Sequence, residues 1–147
     1  MPSILIVDDE EDIRELIAVN LLREENYKLT QAVNGLDALE KARSDRPDLI
    51  ILDLMLPEMD GLTVYKTIRE DARTKDIPVI MLTALGRLEE KIEGLQLGAD
   101  DYLSKPFSPK ELMLRVRNIL RRANLNTGVM WLIRARSASI KARSNFT

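Results

Sequence analysis

Short apolar runs alternate along this chain with longer stretches in which apolar residues recur every three or four positions. The short runs predict strands at about Ser3–Asp8, Lys28–Ala32, Asp48–Asp53, Pro78–Thr83 and Asp101–Ser104. The longer stretches predict helices. The first, about Glu11–Glu25, carries Ile13, Leu16, Ile17 and Leu21 on one face; the second, about Gly35–Ser44, carries Leu36, Leu39 and Ala42. A third, about Gly61–Asp71, shows Leu62, Tyr65 and Ile68, and a fourth, about Leu88–Leu97, shows Leu88, Ile92 and Leu95 before a stop at Gly98. The fifth, about Pro109–Ala123, opens with Ser108 as N-cap, Pro109 at the first helical position and Glu111 three residues past the cap.

Strands that alternate with helices of this length build βα units on a parallel sheet. Right-handed crossovers then give an α/β, doubly wound, five-stranded parallel sheet with five helices. The expected strand order is the flavodoxin-like 2-1-3-4-5, which opens its crevice between strands one and three. Those two strands, Ile4-Leu5-Ile6-Val7 and Leu49-Ile50-Ile51-Leu52, are nearly continuous apolar runs, as strands covered on both faces should be.

Four polar residues stand at or just past strand ends: Asp9, Asp53, Thr83 and Lys105. In such a sheet the ligand crevice lies outside the carboxyl ends of the strands, so these side chains should meet along one edge. Asp8 to Asp12 are five acids in a row. Glu10, Glu11 and Asp12 fit a helix N-terminus, where negative charge complements the dipole. Asp8 and Asp9 come directly off a buried strand, where charge is costly, and read instead as ligands for a hard divalent cation. Asp53 precedes Leu54-Met55-Leu56-Pro57 and an Asp60-Gly61 turn that already supplies the local turn chemistry. Three carboxylates in one crevice repel unless a cation compensates, and magnesium suits oxygen ligands. Thr83 and Lys105 can hold an anionic phosphoryl group. The Lys105-Pro106 bond is a candidate for the cis form.

Composition narrows the chemistry. The chain has 147 residues, enough for one domain with a real core, and neither Cys nor His. Disulfides, thiolate zinc sites and a histidine base are thereby excluded, leaving a carboxylate, hydroxyl or amine as nucleophile. Nothing resembles a signal-peptide core or a membrane span, so a soluble cytoplasmic protein without a membrane partner is expected. The net charge of −2 hides an asymmetry: the first 111 residues carry −10 and the last 36 carry +8. An acidic main domain does not bind nucleic acid unaided.

Asp8-Asp9, Asp53, Thr83 and Lys105-Pro106, together with Pro57, Asp60-Gly61 and Gly98-Ala99-Asp100-Asp101-Tyr102, resemble in order and spacing the CheY-like receiver domain of two-component response regulators. The likeness runs from about Ser3 to Ala123. It implies that Asp53 accepts a phosphoryl group from a partner histidine kinase. It also implies that Asp8, Asp9, Asp53 and the backbone carbonyl of Met55 hold Mg2+, that Thr83 hydrogen-bonds the phosphoryl group while Tyr102 turns toward the space vacated, and that Lys105 contacts a phosphoryl oxygen. The chain would be a phosphoacceptor that assists its own phosphotransfer and dephosphorylation rather than an enzyme. Met55 and Leu85, two residues past Asp53 and Thr83, are apolar and cannot orient water; phosphate loss on the order of hours is expected.

A narrower likeness points to the OmpR/PhoB class. There, activated receivers pair as homodimers through the fourth helix, fifth strand and fifth helix, and the matching positions are Lys91, Asp100, Asp101, Glu111, Arg115 and Arg122. That class binds DNA through an output domain that this chain does not include. The receiver domain is assigned to residues 1–123. Residues 124–147 hold one apolar run, Val129 to Ile133, and an Arg/Ser-rich end, and are expected to be a basic tail, irregular or non-native. Two rivals remain. A magnesium-dependent aspartate-nucleophile phosphatase would need a general-acid Asp two residues past its nucleophile, where Met55 follows Asp53. A flavodoxin-like cofactor binder would need a phosphate loop after strand one, where Asp8-Asp9-Glu10-Glu11 stands.

Overall fold

The computed structural model describes residues 1–84 and 100–122. Five parallel strands form one sheet in the order β2-β1-β3-β4-β5: β1 Ser3–Val7, β2 Lys28–Ala32, β3 Leu49–Asp53, β4 Val79–Ala84 and β5 Asp101–Lys105. Helices α1 (Glu11–Glu24), α2 (Gly35–Asp45) and α3 (Gly61–Glu70) connect the first four strands, and residues 109–122 form a C-terminal helix. The fold and strand order are those expected from the pattern. The predicted fourth helix, about Leu88–Leu97 with Lys91, lies outside the described residues, as do Leu85, Gly98 and everything after residue 122.

Alternation along the strands divides the core into two halves. Leu5, Val7, Ile50, Leu52, Val79, Met81 and Tyr102 face α2 and α3. Ile4, Ile6, Leu49, Ile51, Ile80, Leu82 and Leu103 face α1 and the C-terminal helix. Every one of these is buried, which is why β1 and β3 lack the polar alternation of a half-exposed strand.

Two predicted core positions are exposed. Leu36 is 66% exposed because it occupies the first turn of α2 on the outer side, while Ala38 takes the inward place. Leu16 is 40% exposed and lines the groove beside the functional edge. The helix starts follow local chemistry. Asn34 Oδ1 accepts from the Asp37 N–H and Asp60 Oδ1 from the Thr63 N–H, at 2.8 and 2.9 Å. Ser108 Oγ accepts from the Glu111 N–H at 3.4 Å, but the Glu111 carboxylate reaches Arg115 instead of completing the expected capping box.

Candidate functional site

The strand register sets where each side chain lands. Asp53 closes β3 opposite Leu82, Thr83 is the next residue along β4, and Lys105 closes β5 opposite Ala84. Period-two alternation continues the Ile4–Ile6 row to Asp8, the Leu49–Ile51 row to Asp53, and the Leu103 row to Lys105. All three therefore emerge on the side of α1 and the C-terminal helix. Thr83 follows Val79 and Met81 on the opposite face, which it shares with Tyr102. Both are buried. The Asp8, Asp53 and Lys105 side chains and those of Thr83 and Tyr102 thus occupy opposite faces of one sheet edge.

Lys105 Nζ lies 2.9 Å from Asp8 Oδ2 and 3.2 Å from Asp53 Oδ2. Asp8 is 0% and Asp53 1% exposed, whereas Asp9 is open to solvent. One oxygen from each of Asp8, Asp9 and Asp53 lies within 4.8 Å of the others. Main-chain donors fix the remaining oxygens: Glu10 N–H donates to Asp8 Oδ1 at 2.9 Å, and Met55 N–H donates to Asp53 Oδ1 at 3.0 Å. The Lys105–Pro106 peptide is cis.

Burial pushes the Asp53 carboxyl above its ordinary 3.8, and the negative charge of Asp8 adds to this, against the Met55 hydrogen bond and the Lys105 charge. Burial works against the Lys105 ammonium. Its hydrogen bond to Asp8 and the charges of Asp53 and Asp8 outweigh that, so its pKa is raised and it stays protonated. Three acids facing one ammonium leave excess negative charge, which a divalent cation would neutralise. The set fits a hard ion: all donors are oxygens, two are buried and immobilised, and Asp9 leaves the site open on one side.

An open groove of about 490 Å³ runs over this cluster, lined by Asp9, Glu10, Ile13, Leu16, Asp53, Met55, Lys105, Pro106 and Phe107. Met55 is 43% exposed in it. The β3–α3 connection is held tightly below. A Cβ at Gly61 would overlap the Leu54 backbone and stand 2.6 Å from the Asp53 carbonyl oxygen, so only glycine lets α3 start this close to the end of β3.

Of the charged surface residues singled out from the sequence, Asp101 and Glu111 both pair with Arg115, at 2.5 and 3.0 Å. Asp100 accepts from the Val79 N–H at 2.9 Å and pairs with Arg69 at 3.6 Å. Arg122 is exposed. Sequence reasoning passed over Arg14 and Gln31. Arg14 Nη1 donates to the Asp8 carbonyl and its Nε to Gln31 Oε1, each at 2.9 Å. No spacing signal marks such a contact, because it is made to the main chain.

The sheet order and the acid–lysine edge place the molecule among CheY-like doubly wound domains. It aligns with the receiver domain of a Francisella response regulator at a TM-score of 0.75 and 38% identity, covering 84% of this chain and 99% of that one. A signal receiver domain of a putative Luxo repressor protein from Vibrio parahaemolyticus aligns with TM-score 0.80 and 33% identity, over 87% and 96%. The chain belongs to the response regulator receiver domain family, whose model matches residues 4–117. It is 52% identical over 124 residues to the DNA-binding dual master transcriptional regulator RpaA of Synechocystis, covering 84% of this chain and 51% of that protein. It is 48% identical over 123 residues to the alkaline phosphatase synthesis transcriptional regulatory protein PhoP of Bacillus subtilis, over 84% and 50%. These relatives are OmpR/PhoB-type response regulators. The chain spans about half the length of the curated relatives it matches.

Proposed function

We propose that this chain is a phosphorylation-operated signalling switch in which Asp53 accepts a phosphoryl group from a histidine kinase. The observation that carries the reading is the buried Asp53 carboxylate, held 3.2 Å from the Lys105 ammonium within one cluster with Asp8 and Asp9. Asp8, Asp9, Asp53 and the Met55 carbonyl would hold Mg2+, which supplies charge neutralisation for the transferring group when bound. Asp53 Oδ2, the oxygen facing Lys105, is the nucleophile; the Met55 N–H retains the other oxygen. Oδ2 forms the new P–O bond as the bond from phosphorus to the donor breaks, and Lys105 Nζ moves from the carboxylate to a phosphoryl oxygen. The groove edged by Ile13, Leu16, Met55 and Phe107 gives the donor's protein an apolar surface beside the reacting atoms.

Thr83 then bonds the phosphoryl group, and Tyr102, buried on the same sheet face, follows it. This biases a two-state surface toward pairing of two copies through Lys91, Asp100, Asp101, Glu111, Arg115 and Arg122. The output is transcriptional and is exerted through a DNA-binding segment of the kind its relatives carry in their other half. The unit that performs the switch is residues 1–123, with residues 124–147 a basic tail outside it. Incubation with acetyl phosphate, followed by intact mass measurement, tests the reading. One phosphate adduct is expected with Mg2+ and none with a chelator, and Asp53→Asn abolishes it. Sustained turnover of a phosphomonoester would instead support the phosphatase alternative.

A further inference from the structure

Arg14 lies on the first turns of α1, and its guanidinium bonds no carboxylate of the acidic cluster. It donates instead to the main-chain carbonyl of Asp8 and, through Nε, to the Gln31 side chain on β2. The Asp8 N–H is meanwhile held by the Ala32 carbonyl at 3.2 Å, on the same strand as Gln31. The Asp8 carboxylate is held by Glu10 N–H and by Lys105. Every polar atom of Asp8 is therefore engaged, and Arg14 supplies the contact that fixes the plane of the Asp8–Asp9 peptide. Asp9 is exposed, so the direction in which its carboxylate leaves the turn depends on that plane.

We infer that Arg14 is a positioning residue for the divalent cation, acting through the Asp8–Asp9 peptide rather than by touching the ion. This rests on the reading that Asp8, Asp9 and Asp53 hold such a cation. A guanidinium is suited to the role because its rigid fork presents two donors in fixed directions, one for the Asp8 carbonyl and one for Gln31. Lysine presents its donors from a single nitrogen, without the spaced, fixed directions of that fork. Groups that orient metal ligands from outside the coordination sphere change affinity by about 10–100-fold when removed.

The test is Mn2+ binding to the full chain, followed by water-proton relaxation, alongside thermal melting in metal-free buffer. Arg14→Gln is expected to raise the Mn2+ dissociation constant about tenfold. Arg14→Lys should fall between it and the parent, and Gln31→Ala, which only unseats the guanidinium, should give a smaller rise. Arg69→Gln, whose side chain ties α3 to the β4 approach away from the cluster, serves as a control for general destabilisation. It is expected to lower the melting temperature without changing the Mn2+ constant. Parent-like Mn2+ affinity in Arg14→Gln overturns the inference, as does an affinity loss in Arg69→Gln that matches it. Should Arg14→Gln not fold, Gln31→Ala decides by the same criterion. If the parent protein itself binds no Mn2+, the cation reading fails and the role of Arg14 falls with it, a result distinct from the other two.

Discussion

The Asp53 carboxylate is almost wholly out of water and faces another acid, and one lysine offsets only part of the resulting strain. Its raised pKa has a definite sign for stability. Between the ordinary value of 3.8 and the raised native value, the folded protein holds more protons than the unfolded chain, so stability falls as pH rises through that window. Asp53→Asn removes the charge and keeps an oxygen for Lys105. In metal-free buffer at pH 7 it should melt at a higher temperature than the parent; a lower melting temperature contradicts the assignment of strain to this group. Mg2+ requires the ionised carboxylate, so its affinity should decline as pH drops through the native Asp53 value, which calorimetric titration at several pH values checks. Met55 beside Asp53 cannot orient water. Met55→Gln adds a group that can, and should hasten loss of the phosphoryl group roughly tenfold, measured as decay of the phosphorylated mass peak. Asp8, Asp53 and Lys105 were legible as one group because strand ends and period-two alternation dictate where they emerge. Arg14 was not, since it acts on a carbonyl that every residue possesses.

Among the elements, the β3–α3 connection has the least freedom. α3 starts at Gly61 against the backbone of Leu54, capped by Asp60, and the Asp53–Met55 turn rests on that contact. Gly61→Ala inserts a methyl group where the neighbour is main chain and cannot yield cheaply. It should cost about 2 kcal/mol or more by denaturant melting and slow acetyl-phosphate labelling of Asp53. Unchanged stability would mean that the close approach is not a constraint. The strands were readable to within a residue or so because their apolar runs are bounded by charged or turn residues. Helix faces were less so. Leu16 and Leu36 fit the helical period but sit where α1 borders the groove and where α2 begins, and periodicity carries no information about which turns of a helix the sheet covers.

Across the whole molecule, four of the six residues proposed to pair two copies, Asp100, Asp101, Glu111 and Arg115, are already engaged within one. Arg115 bridges Asp101 and Glu111, and Asp100 is bound to Arg69 and the Val79 N–H. Pairing would exchange internal ion pairs for intermolecular ones, and partly exposed pairs are worth about 0–1 kcal/mol each. Dimerisation driven by these charges should therefore be weak before phosphorylation and sensitive to salt. Arg115→Glu should abolish phosphorylation-dependent pairing in sedimentation velocity; normal dimerisation of that variant when phosphorylated refutes the interface. Sequence resemblance can name these positions, but the internal pairing depends on how β5 and the C-terminal helix lie together, which no linear pattern encodes.

The claim on which the rest depends is that the Asp53 side chain itself becomes an acyl phosphate. Borohydride reduces an acyl phosphate to the alcohol, so protein treated with acetyl phosphate and Mg2+, then reduced and digested, should carry homoserine at position 53 by peptide sequencing in the mass spectrometer. Homoserine at position 53 only when Mg2+ is present is the expected result. Modification at Asp8 or Asp9 with Asp53 untouched, or labelling that ignores the metal, would contradict the account.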